Sequence, residues 1–197
     1  MRILIVAACL LAAASATAGV VPGDQAPDFT LTDTGGGTHS LSALLEAGNV
    51  VVLEWFNPDC PFIVKHHQKH KTMDETFAAV KDQGVVWLAV NSGAPGKQGA
   101  GVKRNSKAFK DFDMKFPVLL DPEGKVGKAY GALTSPHMFV IAKDGTVAYA
   151  GAIDDDRSAD TLGGTNHVAA ALAAVLAGQP VATAETKPYG CSVKYAD

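Results

Sequence analysis

The chain has 197 residues, 47% of them hydrophobic, with 17 basic residues against 20 acidic ones and a formal net charge of −3. That balance excludes a basic nucleic-acid-binding surface and a cationic face for an anionic membrane. The length fits one domain with a sizeable buried core.

The N-terminus reads MRILIVAACLLAAASATA. Arg2 supplies a positive end, an apolar run follows to about Ala14, and Ala16-Thr17-Ala18 fits a small-residue cleavage site. The run is too short to span a bilayer, so 1–18 is expected to be a secretory signal peptide and the chain to be exported, to a periplasm or the extracellular space. Val6-Ala7-Ala8-Cys9 offers a less favoured lipoprotein cleavage box. Removing the leader takes Arg2 and Cys9, so the 17 basic residues become 16 against 20 acidic. Two cysteines remain, Cys60 and Cys191. Outside the cytoplasm such a pair is a disulfide or a redox couple.

GDQAPDF (23–29) is a polar opening segment, and LTDTGGGTHSLS after it reads as a hairpin or loop. VVVLEWF (50–56) is a continuous apolar run, as in a strand buried on both faces. Pro61 to about Gln83 reads as one helix stopped by Gly84. VVWLAV (85–90) is a second buried strand. Residues 91–101 form a Gly-rich loop without the spacing of a phosphate loop, and 103–112 a short helix. A short strand at 117–120 follows. Residues 138–141 and 146–149 flank Lys143-Asp144-Gly145, a hairpin signal. Residues 165–177 form an Ala-rich helix before Gly178, and 179–197 a polar tail carrying Cys191. Strands alternate with helices, then pair antiparallel, then a helix closes. The pattern predicts an α/β fold: a central mixed sheet flanked by helices, one domain over 19–178.

Cys60 stands directly before Pro61, which is pre-shaped to open a helix. The sulfur would face free backbone N–H groups and the positive end of the helix dipole, which stabilise a thiolate. Asp59 pushes the other way. The bland alternative is a structural cysteine. His66 and His70, in HHQKH, share a helix face, and a solvated charged face is the favoured reading over a metal site. His137 is the better candidate to approach Cys60, as a proton donor or a copper ligand. Asp154-Asp155-Asp156 reads as a solvated loop.

GDQAPDFTLTD, VVVLEWFNPDCPF and TSPHMFVIAKDGTVAYAGAID together resemble the redoxin branch of the thioredoxin superfamily, which includes the alkyl hydroperoxide reductase and thiol-specific antioxidant proteins. The resemblance spans about residues 21–176. It implies a thioredoxin-like three-layer sandwich and a thiol oxidoreductase that needs no cofactor and no metal. Its partners would be a peroxide or a disulfide substrate and an external thiol reductant, without nucleic acid or a membrane span. It implies Cys60 as nucleophile, Ser135-Pro136 as the cis-proline turn beside it, and Arg157, over Arg104, as the peroxiredoxin arginine. Ile63 stands where a CxxC motif has its second cysteine, so exchange inside one motif is excluded. Leu53 and Asn57 replace the peroxiredoxin proline and its Thr or Ser, with Asn57 a substitute donor toward a peroxide or thiolate.

Cys191 lies in KPYGCSVKY, and the segment from Gly178 could reach roughly 40 Å at about 3.3 Å per residue. That suffices to bring Cys191 over the helix mouth. Cys191 is then a remote resolving cysteine, its thiol near the ordinary value of about 8.5 in a polar tail, or half of a permanent staple worth about 4–5 kcal/mol. A soft-metal chaperone using Cys60, Cys191 and His137 is the third possibility.

Overall fold

A computed structural model describes residues 19–197; the expected leader, with Cys9, lies outside them. The core is set by two apolar runs. Val50–Trp55 forms β3 and Val85–Asn91 forms β4, paired in parallel from Val50 opposite Val85 to Trp55 opposite Val90. Every β3 residue is buried, as a strand covered on both faces requires. Around them the TGGG turn makes a hairpin of β1 (Thr30–Asp33) and β2 (Thr38–Ser40). β5 (Val118–Leu120) joins β4 in parallel, and β7 (Met138–Ile141) with β8 (Val147–Gly151) forms the expected hairpin. The sheet order is β2-β1-β5-β4-β3-β7-β8, parallel at its centre and antiparallel toward its edges.

Side-chain alternation splits the core. Val50, Val52 and Phe56 face the layer of α2 (Pro61–Val64), α3 (Thr72–Val80), α4 (Val102–Asp111) and α6 (His167–Leu176). Val51, Leu53 and Trp55 face α1 (Leu41–Glu46) and α5 (Lys125–Tyr130). The three layers predicted from the sequence are present.

Two expectations need correction. The helix after Cys60 is not continuous to Gln83. It widens into a π turn at Lys65–Lys69, closed by His70 N–H donating to Lys65 O at 3.0 Å, and restarts after Lys71, whose φ is 55°. The cause is burial. Lys65, His66 and His67 are consecutive and all fully buried, so no single α-helical face can hold them. The polar tail is also not loose. Thr186 donates to Ala150 O, and the chain returns to the sheet end as β9 (Cys191–Ser192), antiparallel to β6 (Thr134–Ser135). Val193 N–H then donates to Leu133 O at 3.1 Å and Tyr195 OH to Ala132 O at 2.9 Å. Among the described residues, no helix is long and apolar enough to cross a membrane.

Candidate active site

The chain leaves β3 through Asn57-Pro58-Asp59. Asn57 Oδ1 accepts from Asp59 N–H at 3.0 Å and Asn57 O from Cys60 N–H at 3.0 Å, a tight turn that aims Cys60 at the helix start. Cys60 is extended (φ −89°, ψ 125°), Pro61 opens the helical stretch, and Cys60 O accepts from Val64 N–H. The thiol does not cap the helix. It lies 3.0 Å from Ser135 O and 2.7 Å from Cys191 Sγ. That separation is longer than an S–S bond of about 2.05 Å, and both cysteines are free thiols here. Cys60 is fully buried.

Ser135 and Cys191 face each other across the β6–β9 ladder, and the Ser135–Pro136 peptide bond is cis. The strands approach so closely that a Cβ at Gly190 would overlap the Ser135 carbonyl oxygen, and Gly190 holds φ 139°, which other residues rarely adopt. Burial, then the hydrogen bond and charge of Cys60, push the Cys191 thiol up to about 12. The expectation of an ordinary thiol in a polar tail is therefore corrected: Cys191 is half-buried and holds its proton at neutral pH.

HHQKH and the acidic turn are solvated only in part: Gln68, Lys69 and Asp155 are exposed, whereas His66, His67 and Asp154 are buried, as is Lys65 just before the motif. Lys65 Nζ donates to Asp156 O at 2.7 Å and to Tyr189 OH at 3.3 Å, and lies 3.4 Å from Asp154 Oδ2. Tyr189 OH donates to Asp154 Oδ1 and sits 2.9 Å from His66 Nε2. His67 turns to the sheet, 2.6 Å from Glu54 Oε1, whose other oxygen accepts from Trp87 Nε1 at 3.1 Å. His70 instead reaches the Asp160 carbonyl, so His66 and His70 do not converge. Among the described residues no group of three or more His, Cys, Asp or Glu is placed to hold a metal ion.

His137 is corrected as well. Its ring packs, tilted, 4.5 Å from Phe139, a member of the core on the far face of the sheet from Cys60, and Nδ1 accepts from Leu133 N–H. Arg157 is exposed and makes no hydrogen bond or ion pair among the described residues. The arginine that touches the Cys60 turn is Arg104: Nη2 lies 2.6 Å from Asp59 Oδ1 and donates to Pro58 O. It offsets the opposing charge of Asp59, an effect moderated by solvent because both side chains are one-third exposed. Asn57 Nδ2 is held by Gln98 O at 3.4 Å, in the Gly-rich loop that Asn91 and Asn105 pin through Gly99 O. Glu54 and Tyr189 are not among the residues expected from the sequence. A charged residue inside an apolar run was the signal for Glu54. For Tyr189 it was the alternation Tyr189, Cys191, Val193, Tyr195.

Burial pushes His137 down to about 4 and His66 down to about 3, from an ordinary 6.5. A histidine held neutral when folded favours the unfolded state once the unfolded chain protonates. The stability it contributes is complete above pH 6.5 and falls as pH drops toward the folded value. His137 alone should cost about 2 kcal/mol between pH 7 and pH 5. Urea unfolding midpoints across that range check this, and a flat profile would contradict it.

A family model described as the AhpC/TSA family matches residues 22–150. The thiol-disulfide oxidoreductase ResA of Geobacillus thermodenitrificans is 33% identical over 129 residues, covering 65% of this chain and 67% of that one. A hypothetical protein from Sinorhizobium meliloti superposes with a TM-score of 0.78 at 27% identity, over 91% of this chain and 97% of its own. A thiol:disulfide interchange protein DsbE from Chlorobium tepidum gives a TM-score of 0.56 at 28% identity, over 67% of this chain and 85% of its own.

Proposed function

Since the chain belongs to the AhpC/TSA family and is a thiol-disulfide oxidoreductase of that family, we propose that Cys60 is its nucleophile and Cys191 its resolving cysteine, working outside the cytoplasm. The observation that carries this is the meeting of the two sulfurs at 2.7 Å beside Ser135 O, across 131 residues of chain.

The Cys60 thiolate attacks a substrate disulfide. A mixed disulfide forms and one substrate thiolate leaves and takes a proton. Cys191 then attacks the Cys60 sulfur, releasing the second substrate thiol and leaving Cys60 joined to Cys191. The substrate gains two electrons and two protons. An external thiol reductant returns the enzyme pair to thiols. Cys60 is fully covered, so an outside disulfide reaches it only when β9 leaves β6, a ladder of two residue pairs. Ser135 and Pro136 frame the nucleophile, Ser135 through its carbonyl.

Disulfide exchange is favoured over peroxide reduction. Asn57 has both polar groups occupied by Asp59 and Gln98, and Arg157 is exposed and makes no hydrogen bond or ion pair among the described residues, so neither is poised to orient a peroxide. A copper site is disfavoured by the place of His137 behind the sheet.

Export is proposed from the leader-like 1–18. Cleavage after Ala18 would leave Gly19 first, packed so closely on Gly131 that no side chain fits between them. Peptide mapping of the protein recovered outside the cytoplasm, without reduction, should give an N-terminus at Gly19 and, after mild oxidant, a Cys60–Cys191 linked peptide. Reduced glutathione should reopen it. Two alkylatable thiols after oxidant would sink the redox pairing. A link that resists every thiol reductant in the folded protein would make it a staple.

A further inference from the structure

Two residues before Cys191, Tyr189 is buried, and its hydroxyl meets groups from two other parts of the chain. Lys65 Nζ at 3.3 Å and His66 Nε2 at 2.9 Å come from the helical stretch that Cys60 opens. Asp154 Oδ1 comes from the loop after β8. The ring packs 5.6 Å from Phe62, two residues after Cys60. The same hydroxyl and ring therefore tie the nucleophile's helix to the tail on one side of the sulfurs. On the other side the tail is held by the two-residue pairing of β9 with β6, by Val193 N–H on Leu133 O and by Tyr195 OH on Ala132 O, none of which reaches the helical stretch after Cys60.

This cluster is a poor way to gain stability. The Lys65 and Asp154 side chains are 0% and 3% exposed, and a buried ion pair is often no better than apolar residues of the same volume. What it supplies is direction. Apolar packing tolerates sliding, whereas a hydroxyl with three fixed partners has one position.

We propose that Tyr189 is a positioning residue: the Lys65–His66–Asp154 cage fixes its hydroxyl, and through Gly190 this holds Cys191 against Cys60. The inference rests on the reading of Cys60 and Cys191 as the redox couple. Its consequence is a high effective concentration of one thiol at the other, which favours the closed disulfide.

The test is a redox titration of the full mature chain in dithiothreitol buffers. Dithiothreitol gives two electrons to the Cys60–Cys191 bond, both sulfurs leave as thiols, and the reagent becomes its cyclic disulfide. The oxidised fraction is read by alkylation and mass. Tyr189→Phe keeps the ring and removes the hydroxyl. It should lower the equilibrium constant for closing the disulfide about tenfold, a rise of about 30 mV in potential for a two-electron couple. Cys60 of the reduced variant should also alkylate faster, because the covering strand is less firmly held. His66→Leu removes one partner of the hydroxyl at similar volume and should shift the potential the same way by less; it carries the test if Tyr189→Phe does not fold. A merely structural tyrosine would lower the unfolding temperature of oxidised and reduced forms alike and leave the potential unmoved, which overturns the proposal. Wild-type cysteines that pair at no buffer ratio would overturn the couple itself and this inference with it. A wild-type couple that titrates while both variants match it overturns the inference alone.

Discussion

Cys60→Ser should abolish disulfide exchange, a loss of about a thousandfold or more, because the reaction has no other route to the covalent intermediate. Cys191→Ser should fail differently. Its Cys60 can still attack, so incubation with glutathione disulfide should leave one glutathione on Cys60, seen as a stable mass adduct, and turnover should stop there. The asymmetry follows from surroundings. Cys191 is pushed up to about 12 by burial and by the Cys60 sulfur, so it carries almost no thiolate at neutral pH until Cys60 is modified. Cys60 stands at the opening of a helical stretch with the Asp59 charge offset by Arg104. The assignment fails if Cys191 in the Cys60→Ser protein gains glutathione as fast as Cys60 does in the Cys191→Ser protein.

Glu54→Leu should be the most damaging change to stability away from the sulfurs. Glu54 and His67 are both fully buried and 2.6 Å apart, and Trp87 Nε1 also depends on Glu54. Removing the carboxylate leaves the indole N–H and His67 Nε2 without partners, in a ring whose Nδ1 already has none. Breaking a buried pair from one side costs about 3–5 kcal/mol. For a chain of this size that lowers the unfolding temperature by about 10 °C. Thermal unfolding followed by circular dichroism measures it, and a loss below about 1 kcal/mol would contradict the account. Adding His67→Leu should recover part of the loss, since an apolar pair needs no partner.

The strands that carry this site were legible because they are apolar on both faces. VVVLEWF and VVWLAV appear within a residue or two of where the sequence puts them, as β3 and β4. Lys143-Asp144-Gly145 turns between β7 and β8 as its composition requires. The misread polar positions share one cause. Lys65, His66 and Asp154 are polar, and a polar residue reads as solvated unless its partner is known. Their partners lie 91 and 124 positions away for Lys65 and 123 for His66. No local window contains that information. The tail was a different case: its alternation of Tyr189, Cys191, Val193 and Tyr195 is a strand signal, masked by Lys187-Pro188 before it and by Gly190, Ser192 and Lys194 between. Arg104 was passed over for a similar reason. Its partners Pro58 and Asp59 meet it only after the Gly-rich loop has folded back.

The pairing of β9 with β6 also sets an order in time. A ribosome releases Cys60 131 residues before Cys191. At about 5–20 residues per second, that leaves an interval on the order of ten seconds. Throughout it the Cys60 thiol has no Cys191 to meet, and the turn beside Ser135 has no β9 to cover it. β9 is thus made long after the cysteine that it covers, and a chain that stops before Cys191 leaves Cys60 uncovered and the edge of β6 open to another strand.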